Sequence, residues 1–233
     1  SIPKTFKKEF FSELQAGISK GIKLSNLDLA GGDTVVYSGP LALSITVLGH
    51  ILEGSEINRN GAKPGDILLI SGNIGDGNIG LESLQKRYNH LSVKEKFYVQ
   101  EKFLRPIPKY DLAIKLKDIL NASIDISDGL IADVSHIAKA SSCGIEINSS
   151  WIPISSIAQK FVKYNIKTIE DLVCAGDDYE IAMAIDKNNV NKALSIAKSL
   201  NYKLSVVGKF IIGDNVLLDK KKVKYGFNHL RNL

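Results

Sequence analysis

The sequence predicts a mixed α/β (α+β) protein, on three observations. Segments with strand periodicity and segments with helical periodicity alternate along its 233 residues. The chain is long enough for two modest domains with their own cores. No apolar run approaches the roughly 18 residues that span a bilayer, so no membrane segment is expected. A turn-rich stretch, 59–66, divides the chain into a predicted N-terminal domain at 1–58 and a C-terminal α/β domain at 59–233.

The predicted N-terminal domain contains one helix and two strands. Apolar side chains between residues 4 and 21 recur on one helical face. Short apolar runs at 27–30 and 41–51 predict strands. One helix and two strands are too little to close a sheet.

The predicted C-terminal domain alternates strands and amphipathic helices. Strands are expected at 67–71, 123–126, 145–147, 179–185, 204–208 and 216–218. Helices are expected at 81–88, 93–104, 112–120, 130–138 and 190–200. No internal repeat is visible.

The charge balance is basic, with a net charge of +5, but its composition argues against nucleic acid. Nearly all the positive charge is lysine, whereas arginine makes the bidentate contacts to phosphates and bases. The two cysteines, Cys143 and Cys174, are far apart and lie in apolar segments, which is typical of reduced thiols in a cytosol. The first residues lack the apolar region of a secretory signal. We therefore expect a cytoplasmic protein that binds neither nucleic acid nor membrane.

Carboxylates follow apolar strands in three places. Asp33 follows two glycines, Asp125 and Asp128 flank Ser127, and Asp177 precedes a second acid. Clustered acids beside buried strands need a reason, and Mg²⁺ supplies one because it binds carboxylates together with phosphates. Ordinary alternatives remain open: either acid around Ser127 can be a helix N-cap. The glycines before Asp33 can simply form a tight turn.

The glycine-rich segment 75–80 matches the G-x-G-x-x-G dinucleotide fingerprint and follows a predicted strand. The rest of that unit is missing, because the position about 20 residues further on, Glu95, falls inside a predicted helix. Binding of NAD or FAD is therefore not expected. No P-loop, protein-kinase motif or G-x-S-x-G elbow occurs, and the four histidines have no zinc-ligand spacing.

Seven motifs in order resemble the aminoimidazole-ribonucleotide-synthetase superfamily and, within it, the thiamine-monophosphate kinases. They are Gly-Gly-Asp-Thr at 31–34, Asn-Gly-Ala-Lys-Pro-Gly-Asp at 60–66, the glycine segment at 71–76, Leu-Arg-Pro-Ile-Pro at 104–108, Asp-Ile-Ser-Asp-Gly-Leu at 125–130, Gly-Asp-Asp-Tyr-Glu at 176–180 and Tyr-Gly-Phe-Asn-His at 225–229.

The resemblance implies phosphoryl transfer from ATP to thiamine monophosphate, which gives thiamine diphosphate. It implies a two-domain synthetase architecture with an ATP-binding N-terminal domain, a homodimer and several Mg²⁺ ions, and no covalent intermediate. The implied roles are Asp33, Asp125 and Asp128 as magnesium ligands, Gly32, Arg59 and Ser127 as ATP contacts, and Asp177 and Phe227 as thiamine monophosphate contacts. An aromatic ring suits the cationic thiazolium, although Phe227 can equally pack as part of the C-terminal tail.

The sequence departs from the family pattern within two motifs and at the N-terminus. The family's Thr-Arg-Gly after Gly-Gly-Asp-Thr is absent, and position 175 is Ala rather than Gly. The family's first Gly-Asp-Asp motif precedes the point where this sequence begins. We therefore expect this chain alone to be a poor kinase, and a separately encoded N-terminal fragment to restore function. Two alternatives stay open: another ATP-dependent synthetase of the superfamily, or a non-catalytic dimerising remnant.

Overall fold

A computed structural model describes residues 1–223. The chain divides into two compact units, one from Ser1 to His50 and one from Ile51 onward. The interpretation of 1–58 as an ATP-binding domain and of 59–233 as its partner domain stays a prediction.

The N-terminal unit contains one helix and a minimal sheet. Strand β1 (Ile2–Pro3) pairs in parallel with β2 (Val36–Tyr37), and helix α1 (Lys8–Leu24) lies between them in sequence. Within residues 1–50 only Ile2 is buried, at 4% exposure. No side chain of α1 is buried. The unit therefore has almost no core of its own.

The strands expected at 27–30 and 41–51 are wrong, because neither segment forms a strand. A strand is stable when a neighbour satisfies its backbone groups, and the apolar run around Ile45 has no paired strand within residues 1–50. Leu43, Ile45 and Val47 are all exposed. The predicted helix at 4–21 is correct in type, but it begins at Lys8, after the turn that follows β1.

The C-terminal unit is built on a seven-stranded sheet in the order β4-β6-β3-β7-β5-β8-β9. Its strands are β3 (Ile67–Ser71), β4 (Leu120–Ile126), β5 (Gly144–Ile147), β6 (Glu180–Ile185), β7 (Leu204–Ile211), β8 (Val216–Leu218) and β9 (Lys221–Lys222). All neighbours are antiparallel except β5 and β8, which are parallel. This sheet confirms the mixed α/β class.

Helices cover both faces of that sheet. They are α2 (Asp76–Leu84), α3 (Val93–Leu104), α4 (Tyr110–Leu116), α5 (Leu130–Ala140), α6 (Ser156–Lys163), α7 (Ile169–Val173) and α8 (Val190–Ser199). Because successive strand side chains point to opposite faces, Leu68 and Ile70 join the α5 side of the core, whereas Leu69 joins the side covered by α4 and α8. A third cluster unites α2, α3, α6 and α7.

Two predicted helices have wrong bounds. The helix expected at 81–88 begins at Asp76, directly after Gly75, which has a left-handed φ of 90°. The helix expected at 112–120 ends at Leu116, because residues 117–119 form a 3-10 turn and the chain then enters β4. There, pairing with β6 overrides the helical spacing of the apolar residues. Helices α6 and α7 were not predicted, although Ser155 and Thr168 cap them.

Candidate active site

The site is formed where the end of β4 meets the start of β6. These strands are antiparallel, and Ile126 pairs with Glu180. Residues that follow β4 therefore lie beside residues that precede β6. This topology brings Ser127 and Asp128 next to Asp177, although about fifty residues separate them in sequence, and Asp125 lies just before them on β4.

The turn after β4 is held by Asp133, which is 3% exposed. One of its oxygens, Oδ2, accepts the backbone N–H of Ser127 at 2.9 Å and that of Asp128 at 3.0 Å. Helix α5 has Gly129 at its N-cap, with no side-chain cap. Neither Asp125 nor Asp128 is therefore a helix cap, and the ordinary explanation for their presence does not apply.

The loop before β6 packs tightly against this turn. The N–H of Asp177 donates to the carbonyl oxygen of Ser127 at 2.9 Å. A Cβ on Gly176 would lie 2.3 Å from that same oxygen, so only glycine fits there. Gly129 has a φ of 112°, and a Cβ on it would lie 2.9 Å from the carbonyl carbon of Cys174. The close approach of the two loops thus depends on glycines at 129 and 176.

Three carboxylates in this region have no compensating partner in the described chain. Within residues 1–223, the carboxylates of Asp125, Asp128 and Asp177 accept no hydrogen bond and form no ion pair. Burial raises the pKa of Asp177, and the charge of Asp128 raises it further. Burial also raises the pKa of Asp133, against the two backbone N–H groups that lower it, and the charges of Asp128 and Asp125 add to the rise. Negative charge is therefore concentrated here, and no cationic side chain of residues 1–223 pairs with these three carboxylates.

The donor chemistry of this region suits a hard divalent cation. Mg²⁺ binds oxygen ligands and commonly uses one or two carboxylates, with waters and substrate phosphates completing its shell. Among residues 1–223 no group of three or more His, Cys, Asp or Glu side chains forms a complete metal cluster. The assignment of Asp125 and Asp128 as magnesium ligands stays a prediction.

The other expected site residues belong to other segments of the chain. Arg59 is exposed in the C-terminal unit, and the preceding residue, Asn58, accepts the N–H of Ser123 on β4 at 2.9 Å. Gly32 and Asp33 belong to the N-terminal unit, where Asp33 Oδ1 accepts the N–H of Thr34 at 2.7 Å. Phe227 lies outside the described residues.

Sequence reasoning missed a buried polar group next to the site. Ser71 Oγ donates to Glu180 Oε2 at 2.5 Å and accepts the N–H of Ile181 at 2.9 Å. Lys109 Nζ lies 3.4 Å from Glu180 Oε1. The signal was present, since Ser71, Lys109 and Glu180 each lie within or next to a quoted motif, but nothing in the sequence showed that they meet.

Two clefts of the C-terminal unit do not coincide with this site. One of about 590 Å³ is lined by His136, Lys139 and Asp214, among others. Another of about 600 Å³ is lined in part by Trp151 and Lys209. The candidate site is therefore identified by its carboxylates and not by a cleft.

None of the helices within residues 1–223 combines the length and the apolar character required to cross a bilayer.

Comparison with known proteins assigns the chain to a family. Residues 63–219 match the family model of the AIR synthase related protein, C-terminal domain. A thiamine-monophosphate kinase of Buchnera aphidicola subsp. Schizaphis graminum is 39% identical over 235 residues, covering 97% of this chain and 68% of that protein. The chain spans little more than half the length of two other curated relatives, the thiamine-monophosphate kinases of Caulobacter vibrioides and Escherichia coli K12.

Solved structures agree with the sequence relatives. The crystal structure of thiamine-monophosphate kinase from Stenotrophomonas maltophilia K279a has a TM-score of 0.86 and 26% identity, over 95% of this chain and 70% of that one. AaThiL complexed with AMPPCP and TMP has a TM-score of 0.79 at 24% identity, over 99% and 71%, and supports the fold. On this sequence and structural evidence, the chain belongs to the thiamine-monophosphate kinase family.

Proposed function

We propose that this chain takes part in the ATP-dependent phosphorylation of thiamine monophosphate to thiamine diphosphate, in the cytoplasm. The observation that carries the proposal is a group of carboxylates, Asp125, Asp128 and Asp177, that have no partner within residues 1–223 and lie where β4 meets β6. Such a concentration of like charge disfavours the unliganded site and favours a bound cation. The related AaThiL was solved with AMPPCP and TMP, which supports ATP as co-substrate.

Phosphoryl transfer depends mainly on positioning and charge neutralisation, so no covalent intermediate is required. We assign Asp125 and Asp128, together with Asp33, as ligands of Mg²⁺, which would neutralise phosphate charge when bound. Gly32, Arg59 and Ser127 are assigned to ATP. Ser127 suits this role, because its backbone N–H donates to Asp133 and holds the residue in place, and its hydroxyl has no hydrogen bond within residues 1–223.

Asp177 and Phe227 are assigned to thiamine monophosphate. The positive thiazolium ring attracts a carboxylate and can stack on an aromatic ring. Asp177 adjoins Asp128 across the two loops, which would place the acceptor substrate next to the metal-bound phosphates. This adjacency is what direct transfer requires.

We further propose that the N-terminal unit acquires its core by association, as a homodimer or with a separate N-terminal fragment. The unit buries only Ile2 within residues 1–50 and exposes Leu43, Ile45, Val47 and Leu48. Exposed apolar surface of this kind is typical of interaction sites. A polypeptide of these 233 residues alone should then be a poor kinase, since each missing electrostatic stabiliser costs roughly 3–4 kcal/mol of barrier.

The test is ADP release with ATP, Mg²⁺ and thiamine monophosphate, measured with and without an N-terminal fragment taken from a full-length relative. We expect slow release from the chain alone, a large gain with the fragment, and loss of that gain in Asp128→Asn. ADP release that does not require thiamine monophosphate, or that responds instead to a ribonucleotide substrate, would favour another synthetase of the superfamily. No release under any condition would favour a non-catalytic remnant.

A further inference from the structure

The carboxylate of Asp178 lies between two backbone amides at the start of α2. Its Oδ2 accepts the N–H of Gly75 at 2.8 Å, and its Oδ1 accepts the N–H of Gly77 at 3.1 Å. Each carboxylate oxygen therefore accepts one backbone N–H. Asp178 and these glycines are about one hundred residues apart in sequence, so this pair of bonds fixes the loop before β6 to the glycine turn after β3.

This arrangement gives a role to the G-x-G-x-x-G segment at 75–80. In a dinucleotide-binding unit, the amides of such a turn face a phosphate at the helix N-terminus. Here the amides of Gly75 and Gly77 already face an internal carboxylate. A carboxylate at a helix N-terminus is favoured by the same dipole that favours phosphate. The glycine turn thus serves as an anchor for Asp178.

The residues on both sides of Asp178 have left-handed backbones. Asp177 has a φ of 72° and Tyr179 a φ of 49°. This conformation is unfavourable for residues with a side chain, especially an aromatic one, and persists only where the surroundings impose it. Backbone bonds help to impose it, because the N–H of Asp177 donates to Ser127 at 2.9 Å and that of Tyr179 to Ile126 at 2.8 Å.

The glycine turn also limits where the loop can lie. A Cβ added to Gly77 would lie 2.1 Å from the carbonyl oxygen of Asp177 and 3.1 Å from the nitrogen of Asp178. Any side chain at position 77 would therefore push the loop away from the turn. The loop at 177–179 is fixed on one side by the residues that end β4 and on the other by the start of α2.

We infer that Asp178 is a positioning residue for thiamine monophosphate: its bonds to Gly75 and Gly77 hold the left-handed pair Asp177 and Tyr179 so that the Asp177 carboxylate stands beside Asp128. The inference rests on the proposed function in one respect only, the assignment of Asp177 to that substrate. The carboxylate of Asp178 is half-buried, is bonded to backbone amides, and acts through its neighbour.

The test begins with Asp178→Asn and a matched control, Asp76→Asn. Asparagine has one oxygen and one NH₂ group, so at position 178 one backbone N–H must face another donor. Asp76 is buried, but its partners are the hydroxyls of Ser155 at 2.5 Å and Tyr98 at 3.0 Å. A hydroxyl can turn and accept from the new NH₂ group, whereas a backbone amide cannot.

Binding of thiamine monophosphate is measured by calorimetry, and amide hydrogen exchange at residues 177 and 179 by NMR. Asp178→Asn should weaken binding about tenfold or more and speed exchange at both amides by a similar factor. Asp76→Asn should change neither by more than about twofold. Gly77→Ala, which displaces the loop sterically and leaves Asp178 intact, should reproduce the effects of Asp178→Asn.

A double-mutant cycle separates positioning from general stability. If Asp178 acts through Asp177, the Asp177→Asn, Asp178→Asn double variant should bind no more weakly than Asp177→Asn. Additive losses of affinity would overturn the inference. Failure of the unmodified chain to bind thiamine monophosphate would contradict the proposed function instead. In that event, exchange rates at 177 and 179 in Asp178→Asn equal to those in Asp76→Asn would overturn the positioning role as well.

Discussion

Lys109 Nζ lies 3.4 Å from Glu180 Oε1, with only 10% and 5% of the two side chains exposed. Lys109 also donates to the carbonyl oxygen of Ile107 at 2.6 Å. The pair thereby joins the segment before α4 to the first residue of β6. A buried carboxylate that loses its cation is left uncompensated, which is far more costly than the loss of a surface pair.

We predict that Lys109→Met destabilises the protein by about 3–5 kcal/mol, because Glu180 then stays buried with Ser71 as its polar side-chain partner. Urea unfolding at neutral pH measures the change. The control is Lys209→Met, which breaks a pair with Glu146 whose lysine is 57% exposed. That variant should change the free energy of unfolding by less than about 1 kcal/mol. Equal effects of the two variants would contradict the prediction.

Replacing Asp133 by Asn and by Ala should distinguish the contribution of its hydrogen bonds to stability from the contribution of its charge. Both backbone N–H groups at the end of β4 bind the same oxygen, Oδ2, so the single oxygen of Asp133→Asn can still accept both. Asp133→Ala removes the acceptor and should destabilise by about 1–3 kcal/mol, whereas Asp133→Asn should remain close to the unmodified protein. Thermal unfolding followed by circular dichroism measures both. A loss in Asp133→Asn as large as that in Asp133→Ala would show that the charge itself is needed.

Asp125 and Asp128 are predicted to act through Mg²⁺ and not through local structure. Neither carboxylate has a hydrogen bond within residues 1–223, so Asp128→Asn should leave the melting temperature unchanged or slightly higher by relieving repulsion. Magnesium-dependent ATP binding should weaken about tenfold or more, because a hard anionic ligand is lost. Calorimetry in a form able to bind ATP measures the affinity. Unaltered affinity with a lower melting temperature would refute the prediction.

Glu82 should make stability depend on acid pH. Burial alone would raise its pKa, but the hydrogen bonds from Lys167 and Tyr88 and the charges of Lys167 and Arg87 lower it overall. Lys167 Nζ lies 2.8 Å from Glu82 Oε2. A lowered pKa means that, as the pH falls, the unfolded chain takes up the proton first. The stability that Glu82 contributes is therefore present above the usual value of 4.5 and is lost below it.

The measurement compares urea unfolding of the unmodified protein and Glu82→Gln. The unmodified protein should be more stable by about 1–2 kcal/mol near pH 7, and this difference in stability should be smaller when it is measured at about pH 3. A gap of the same size at both pH values would mean that Glu82 contributes by packing and not by charge.

Limited proteolysis should leave a resistant fragment that begins near Gly61 and extends through the C-terminal unit. The reason is that the sheet and its helices bury three apolar clusters, whereas residues 1–50 bury only Ile2. Mass spectrometry of the digest identifies the fragment. Cuts spread evenly through 63–223 would contradict the prediction.

Hydrophobic periodicity predicted a strand correctly where the structure supplies a paired neighbouring strand, and wrongly where it does not. The bounds predicted for the strand at 67–71 are those of the buried strand β3, which is an apolar run between two turns. The run at 41–51 has the same composition but no paired strand within residues 1–50. Apolar composition alone therefore cannot distinguish a strand from an unpaired segment.

The candidate site could be predicted as a set of motifs but not as a geometry. The motifs identified Asp125, Asp128 and Asp177, whose residue types suit a cation. Asp133 and Asp178 were not identified, because their role is to accept backbone N–H groups that only the fold brings near. Carboxylates that ligate and carboxylates that support a loop look identical in a sequence.

The position of β3 inside the sheet, with a strand on either side, has a consequence for how the chain folds during synthesis. Its neighbours, β6 and β7, both come much later in the sequence, since Ile70 pairs with Ala182 on one side and Ser205 on the other. During synthesis the apolar β3 strand must wait for most of the chain before either edge is paired. Long-range pairing of this kind slows folding and prolongs exposure to aggregation. The apolar side chains of β3 therefore stay exposed for longer than those of a strand that pairs with its neighbour in sequence.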